Sequence, residues 1–279
     1  MQPDPRSQSS SSRPSGPIRR SLITVTYNSR EALQRFWHDR ELDDHTEWIV
    51  VDNCSSDGTP EVAEALGARV IKLPKNVGFS AANNAGADAA RGSFIGYVNP
   101  DVRITPATID QLEEVALATG AVVGPQLLDP DGTIQPNGRG FPLLTAKVRN
   151  RLRGDDTRYL LTSDGTEPYP VVWLMGAAVF GSRETIARIG GWDSRFFIYY
   201  EDSDIGLRAW REGVPVLLVP TATATHGWAR ETSGKFRWMP WLREIDSMAK
   251  FYSRYPEMLL THEVASRAHP GITRAVYSR

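Results

Sequence analysis

FIGYVNPD, residues 94–101, is the segment on which the predicted architecture of this chain depends. Its first five residues, Phe94–Val98, are apolar or small and indicate a buried strand. Pro100 has no N–H and a fixed φ, so strand pairing should stop there. Asp101 would then lie at the carboxyl end of a buried strand, the edge at which open α/β sheets bind ligands. A turn that only starts the next helix is the alternative.

Strand and helix patterns alternate on both sides of this segment, which predicts an α/β fold with a doubly wound, mostly parallel central sheet and flanking helices. No G-x-G-x-x-G follows the first strand, so a dinucleotide-binding domain of the oxidoreductase kind is disfavoured. Residues 137–170 are rich in Gly, Pro and Arg and predict irregular loops. The predicted strands are 21–27, 47–51, 69–73, 94–98, 121–124, 126–128, 133–135, 171–181 and 214–219. The predicted helices are 30–40, one starting at Pro60, 81–90, 106–119, 183–189 and 201–211.

Composition limits the classes of protein to consider. The 279 residues are 41% hydrophobic and 23% charged with a net charge of −1, which is typical of a globular protein and gives no reason to expect nucleic acid as a partner. The lone cysteine, Cys54, excludes an internal disulfide and a Cys-rich zinc site. Residues 1–17 predict a disordered tail without a signal peptide, and no segment approaches the ~20 apolar residues of a membrane span. We therefore predict a cytoplasmic protein, with peripheral contact to the inner face of a membrane as an alternative.

Six segments, taken together and in order, resemble the family-2 inverting glycosyltransferases, and among them the rhamnosyltransferase-like branch. The resemblance covers roughly residues 20–230 and implies the GT-A nucleotide-sugar-binding fold. The segments are TVTYNS (24–29), VDNCSSDGT (51–59), NVGFSAANN (76–84), NPDV (99–102), GGWDSRFFIYYEDSDIGLR (190–208) and His226.

The resemblance also implies a division of the chain. A GT-A domain would cover residues 18–235, with a nucleotide-binding half at 18–125 and a catalytic half with a small acceptor-side subregion at 126–235. Residues 236–279 would form a helical tail. The mixture of aromatic and basic residues at 236–255 fits either an interfacial helix at a membrane or a terminal helix packed on the domain.

The donor implied by the resemblance is a dTDP- or UDP-sugar. Asp52, at the end of a strand, can accept a hydrogen bond from a nucleobase, although a turn carboxylate that caps Ser55 or Ser56 is the alternative. Asn76 and Asn83 lie where a loop meets a helix and suit ribose or phosphate, with ordinary helix capping as the alternative. The predicted donor-binding residues are Thr26, Tyr27, Asn28, Asp52, Asn53, Asn76, Asn83, Asn99, Asp101 and Gly176.

A divalent cation, Mn²⁺ or Mg²⁺, would neutralise the diphosphate of such a donor. Asp101 and His226 are the predicted ligands, and Asn99 stands where the family usually has the first acid of a D-x-D motif. An imidazole ligand favours Mn²⁺ over Mg²⁺. For His226 a surface loop histidine is the alternative.

Asp202 is, by the resemblance, the general base that deprotonates the acceptor hydroxyl for in-line attack on the anomeric carbon. Aromatic neighbours should raise its pKa, while a helix N-cap is the alternative role for this acidic pair. The predicted acceptor-side residues are Trp173, Trp192, Asp193 and Glu201, although tryptophans at such positions are also common in cores.

The predicted function is inverting transfer of a sugar, with rhamnose from dTDP-rhamnose as one candidate, to a hydroxyl of a glycan or lipid-linked acceptor. A sugar-nucleotide pyrophosphorylase is the second enzyme hypothesis, but TYNS lacks the Gly-rich, basic loop of those enzymes. A non-catalytic nucleotide-sugar or glycan-binding module is the third, and it would have no use for a base and a metal together.

Overall fold

The computed structural model describes residues 17–153, 158–162, 165–227 and 238–278, and it contains one large and one small β-sheet within these ranges. All but one residue of the predicted disordered tail, and residues 236–237 and 279 of the predicted helical tail, lie outside them. The strands are β1 (Arg20–Thr26), β2 (Thr46–Asp52), β3 (Arg69–Lys72), β4 (Phe94–Val98), β5 (Val102–Arg103), β6 (Val122–Leu128), β7 (Ile134–Gln135), β8 (Gly138–Arg139), β9 (Leu160–Leu161), β10 (Tyr169–Pro170), β11 (Trp173–Leu174), β12 (Ala178–Ser182) and β13 (Val216–His226). The helices are α1 (Arg30–Phe36), α2 (Thr59–Ala65), α3 (Phe79–Ala89), α4 (Pro106–Thr119), α5 (Leu144–Arg153), α6 (Arg183–Arg188), α7 (Glu201–Arg211), α8 (Trp238–Arg254), α9 (His262–Ala268) and α10 (Pro270–Ile272).

The large sheet has the order β10-β13-β6-β12-β4-β1-β2-β3. Strands β4, β1, β2 and β3 are parallel, whereas β12 runs antiparallel to both β4 and β6. Helices cover both faces, so the inner strands are buried along nearly their whole length, with apolar residues at most of their central positions. The predicted α/β fold with a mostly parallel central sheet and flanking helices is confirmed.

Strand β4 lies near the middle of the sheet, and all five of its residues are buried. Its ladder ends at Val98, and the chain then turns through residues 99–101 into the short strand β5. Strand β5 pairs antiparallel with the last two residues of β13, Val102 opposite His226. This pairing brings Asp101 beside a residue 125 positions later in the chain.

The predicted strand 171–181 is wrong as a single element. Residues Trp173–Leu174 pair with β8 in the small sheet, whereas Ala178–Ser182 pair with β4 in the large one. Gly176 lies in the turn between them rather than within a strand. Because both halves are apolar and buried, periodicity alone does not reveal that they have different partners.

The irregular loops predicted for residues 137–170 are also corrected, because this region contains helix α5 and three short strands. The flanking Gly and Pro residues obscure the helical pattern of α5. The segment is held by tertiary contacts: Leu143 and Ala146 are buried against Phe251 and Tyr252 of α8 in one cluster.

The C-terminal helices pack on the domain. Phe251 and Tyr255 are fully buried, and Ser247 Oγ donates to Ile198 O at 2.8 Å. Arg254 Nη1 lies 2.6 Å from Asp204 Oδ1 on α7. For residues 247–255 the structure therefore supports the packed-helix alternative. Among the described helices, none combines the length and apolarity that crossing a bilayer requires.

Candidate active site

The ends of β1 and β2 place Thr26 opposite Asp52 in the parallel ladder. Asp52 is 2% exposed, and its two carboxylate oxygens accept from Thr26 Oγ1 at 3.2 Å and from the Ser55 N–H at 2.9 Å. The second bond is the turn-capping alternative weighed for Asp52. A carboxylate accepts more than one hydrogen bond per oxygen, so these bonds leave it able to meet a further donor.

The side chains of the neighbouring asparagines form hydrogen bonds with backbone groups of the protein. Asn53 accepts from the Val77 N–H at 2.8 Å and donates to Gly78 O at 3.1 Å, which ties the loop before α3 to the end of β2. Asn76 accepts from the Gly78 N–H at 3.0 Å. Asn83 is 1% exposed and donates to Phe79 O within its own helix, so the structure places it away from a ligand.

Tyr27 and Asn28 are the solvent-exposed residues among the predicted binding residues for the sugar donor. Tyr27 is 50% exposed, and Asn28 is exposed with a positive φ of 51°. Asn28 Oδ1 accepts from the Ser56 N–H at 2.9 Å, which joins the turns after β1 and β2. The tyrosine ring is thus exposed beside the joined ends of two strands, where it is accessible to a flat nucleobase.

Asp101 and His226 are brought together as predicted, with Asp101 Oδ2 3.5 Å from His226 Nε2. On the other side of the ring, His226 Nδ1 lies 2.6 Å from Gln135 Oε1. Gln135 Nε2 donates to Asp129 Oδ1 at 2.7 Å, which fixes the amide so that its oxygen faces the imidazole. Nδ1 therefore donates to Gln135, and Nε2 is the ring nitrogen that faces Asp101.

This donor pair fits one divalent cation. Two adjacent ligands of an octahedral ion with bonds of about 2.1 Å lie roughly 3 Å apart, close to the observed separation. A histidine ligand held through its other nitrogen is the arrangement usual at metal sites. No cluster of three or more His, Cys, Asp or Glu side chains suited to a metal occurs among the described residues. Any ion here would need further oxygen ligands from a bound molecule or water.

Glu201 and Asp202 form the first turn of α7, which packs closely on the small sheet. A Cβ at Gly206 would lie 2.4 Å from Trp173 Cβ, so only glycine permits this approach. Tyr199 and Tyr200 have positive φ values of 71° and 68°, and such strained non-glycine residues concentrate at functional sites.

A cavity of about 290 Å³ opens in front of this acidic pair. Its wall is largely aromatic and apolar, with one lysine from α5 among the acids. The lining residues are Leu144, Lys147, Val148, Trp173, Tyr199, Tyr200, Glu201, Asp202, Glu244 and Met248.

Burial raises the pKa of both acids in the pair. Loss of solvation, followed by the charge of Asp202, raises the pKa of Glu201 to about 8. Loss of solvation also raises the pKa of Asp202, although the charge of Lys147 and the N–H of Ser203 oppose that shift. Within the described residues, Glu201 Oε2 has no hydrogen-bond partner. The pair therefore retains a proton at neutral pH.

Replacing Glu201 with glutamine is expected to change how stability depends on pH. The folded pKa of about 8 lies above the value of about 4.3 in an unfolded chain, so folding retains a proton that the unfolded chain releases. The resulting stability is complete below about pH 4 and is lost as pH rises through 8. The melting temperature of Glu201→Gln minus that of the wild type should therefore increase by several degrees from pH 5 to pH 8 in calorimetry. Exposed Glu114→Gln is the control, and an equal difference at both pH values contradicts the buried proton.

The turn at residues 99–101 and the acidic pair adjoin each other through residues 176–177. The Asn99 N–H donates to Ala177 O at 2.9 Å, and the N–H of Gly176 faces the Asp202 carboxylate, favouring its charged form. A Cβ at Gly176 would make only ordinary contacts of 3.6–3.7 Å with protein atoms. Nothing inside the protein thus requires glycine there, which is consistent with space kept for a ligand.

Two of the predicted acceptor-side residues have structural positions instead. Trp192 is 1% exposed, with its ring edge-on to Phe79 and Tyr97, so it offers no face to a sugar. Asp193 is paired with Arg195 and Arg254, and the hydrogen bond from Arg195 holds its pKa well below the usual range. These two residues instead join the loop at residues 192–200 to α3 and α8.

Trp173 lines the cavity, and its Nε1 donates to Gly140 O at 2.9 Å, so its acceptor-side role stays a prediction. Three further residues at the site had no indication in the sequence: Gln135, Arg139 and Lys147. Gln135 and Arg139 stand on two-residue strands, and Lys147 on a helix hidden among loop-forming residues. The strand that carries Gln135 was predicted at 133–135, but the strand that carries Arg139 and the helix that carries Lys147 lie in the region predicted as loops.

A family model, "Glycosyl transferase family 2", matches residues 21–169. The chain is 30% identical over 235 residues to an N-acetylglucosaminyl-diphospho-decaprenol L-rhamnosyltransferase of Mycobacterium tuberculosis, covering 76% of each chain. It is 24% identical to the low-salt glycan biosynthesis hexosyltransferase Agl10 of Haloferax volcanii, covering 74% of this chain and 66% of that one.

Solved structures of glycosyltransferases have a similar fold. GalNAc-T7 with UDP, GalNAc and Mn²⁺ superposes with a TM-score of 0.60 at 18% identity, over 94% of this chain and 55% of that chain. The mannosyltransferase PcManGT of Pyrobaculum calidifontis, in complex with GDP-Man and Mn²⁺, gives 0.53 at 15% identity, over 95% and 82%. At these identities the likeness concerns the GT-A fold alone.

Proposed function

The chain belongs to glycosyl transferase family 2 and is a glycosyltransferase, and on that basis we propose that it transfers a sugar, with inversion, from a nucleoside diphosphate to an acceptor hydroxyl. The observation that carries this proposal is the convergence of Asp101, His226 and the Glu201–Asp202 pair on either side of the turn at residues 176–177. One side holds donors suited to a diphosphate-bound cation, and the other holds a basic carboxylate beside a cavity.

The donor lies, in this proposal, across the ends of β1, β2 and β4. Tyr27 would cover the base, and Asp52 would accept a hydrogen bond from it. The name of the Mycobacterium tuberculosis relative, an L-rhamnosyltransferase, supports dTDP-rhamnose as the first donor to test, with UDP-sugars as the alternative.

Asp101 and His226 would hold Mn²⁺ or Mg²⁺ against the donor. The ion supplies positive charge that stabilises the departing diphosphate. Gln135 and Asp129 orient the His226 ring through Nδ1, so that Nε2 faces the ion. Mn²⁺ in two GT-A neighbours supports this assignment.

Asp202 acts as the base in the proposed transfer. The acceptor hydroxyl oxygen attacks the anomeric carbon from the side opposite the diphosphate, and its proton passes to an Asp202 oxygen. The bond from the anomeric carbon to the diphosphate oxygen breaks, and the nucleoside diphosphate leaves with that electron pair. Protonated Glu201, at the cavity wall, would donate a hydrogen bond to the acceptor.

The acceptor in this proposal is a glycan or a lipid-linked sugar whose terminal ring enters the 290 Å³ cavity. Trp173 and Tyr200 contribute aromatic side chains to the wall of this cavity, which suits the apolar side of a sugar. The relative's name, with a diphospho-decaprenol acceptor, supports a lipid-linked substrate. The proposal also includes a cytoplasmic location. Peripheral contact between residues 236–255 and a membrane is the alternative to a location free of the membrane.

A thermal-shift panel followed by a transfer assay tests the function. A donor at 100 times its Kd stabilises the folded state by about 2.7 kcal/mol, so the correct nucleotide sugar should raise the melting temperature with Mn²⁺ present. That donor should then give a β- or α-linked product of inverted configuration with a lipid-linked N-acetylglucosamine acceptor. Failure of every nucleotide sugar to bind or react would contradict the proposal.

A further inference from the structure

The side chain of Lys147 is enclosed by aromatic rings at the wall of the cavity. Its Nζ lies 3.6 Å from the centre of the Tyr200 ring, 5.2 Å from that of Trp173 and 5.8 Å from that of Phe251. Nζ also donates to Ser203 Oγ at 3.3 Å. An ammonium group in such surroundings loses most of its hydration, which is costly unless nearby negative charge compensates.

The charged groups that face Lys147 come from three elements. Glu201 and Asp202 lie on α7 and Glu244 on α8, while Arg139 on β8 is the second cation. Loss of solvation lowers the pKa of Lys147 to about 8 despite the three acids, so the ammonium is largely charged at neutral pH. A half-buried cation is thus held beside the acidic pair.

The two acids of the pair have unequal surroundings. Asp202 has the Ser203 N–H at 2.7 Å, the N–H of Gly176 and the charge of Arg139, all of which favour its ionised form. The Glu201 carboxylate accepts from its own backbone N–H, and the charge of Lys147 also favours its ionised form, but its Oε2 is buried and has no hydrogen-bond partner among the described residues. Two adjacent carboxyls in a poorly hydrated site share one proton, and small differences in their surroundings decide which one carries it.

We propose that Lys147 is a positioning residue for Asp202: its ammonium, fixed against Tyr200 and Ser203, keeps the negative charge of the pair on Asp202 and leaves the proton on Glu201. This inference rests on the proposed function, in which Asp202 accepts the proton of the acceptor. It gives the two neighbouring acids different tasks, one as base and one as hydrogen-bond donor.

The test is a carboxyl titration by ¹³C NMR of the full chain, with wild type, Lys147→Met and Lys147→Arg compared, and Asp202→Asn and Glu201→Gln used to assign the signals. We expect Lys147→Met to move the Asp202 titration upward by about one pH unit or more, and Lys147→Arg to restore it. The fall of kcat at acidic pH should move to higher pH by the same amount. Below that fall, kcat should then be about tenfold lower for each pH unit by which the profile has moved.

Controls separate this effect from a loss of structure. Lys250→Met, which removes an exposed lysine of α8, should leave both profiles unchanged, and Lys147→Gln replaces the methionine variant if that variant does not fold. A uniform fall in kcat at every pH without a shifted titration would make Lys147 merely structural and overturns the inference, as does an unchanged titration. If the titration shifts as expected but Asp202→Asn keeps full turnover, the inference about charge stands and the proposed base is wrong.

Discussion

Asp202→Asn is expected to lower turnover by about 10²-fold or more, the usual effect of losing a general base. Asparagine has nearly the same shape, so the packing of α7 on Trp173 through Gly206 should persist. The variant loses the negative charge of the Asp202 carboxylate. Among the described residues that line the cavity, Asp202 is the one acid that accepts hydrogen bonds from the N–H groups of Ser203 and Gly176.

The measurement is kcat for sugar transfer, with donor affinity determined in parallel by calorimetry. Donor affinity should stay close to wild type, because the proposed donor contacts lie at the ends of β1, β2 and β4. Asp246→Asn, on an exposed part of α8, is the matched control and should leave kcat unchanged. Wild-type turnover in Asp202→Asn would remove Asp202 from the mechanism.

Asp101→Ala has the second large expected effect, a loss of metal-dependent binding of the nucleoside diphosphate. The site offers one carboxylate and one imidazole, 3.5 Å apart, so removal of the carboxylate leaves a single protein ligand. Because changes to residues that only orient a ligand cost 10–100-fold in affinity, the loss here should be at least about 100-fold.

Calorimetry with and without Mn²⁺ measures this effect. Gln135→Leu should weaken Mn²⁺-dependent binding less than Asp101→Ala, since it removes only the bond that fixes the His226 ring. Asp131→Ala, in an exposed turn at the same edge of the sheet, is the control. Binding of the diphosphate by Asp101→Ala at wild-type strength and with wild-type dependence on Mn²⁺ rules out the assignment.

The two predicted ligands illustrate what kind of reasoning reaches a site from sequence. The position of Asp101 follows from local chemistry, because a buried strand ending at a proline leaves the next carboxylate at the sheet edge, but its role as a ligand was inferred with the resemblance. His226 follows only from resemblance, and its contact with Asp101 depends on the two-residue pairing of β5 with β13. Such short pairings carry too few residues for any periodic pattern.

On the acceptor side, the burial of Trp192 and the ion pairs of Asp193 were not predicted from the sequence, for a related reason. Trp192 and Asp193 stand in a loop whose aromatic residues suit either a core or a sugar-binding face. Their burial is decided by contacts with Phe79 and Arg254, which lie more than 60 positions away along the chain. Lys147 lies beside the acidic pair on helix α5. The glycines, prolines and arginines around this helix obscure its helical pattern in the sequence.

The amino-acid sequence alone determined the alternation of strands and helices, the mostly parallel sheet and the positions at which its strands end, because these depend on apolar periodicity and on turn residues within a few positions. The tertiary structure decided which polar side chains meet: the orientation of His226 by Gln135, the enclosure of Lys147, and the unequal surroundings of Glu201 and Asp202. The reason is physical. A side chain's burial and charged neighbours are set by segments remote in the chain, and it is these surroundings that decide where a proton or a cation is held.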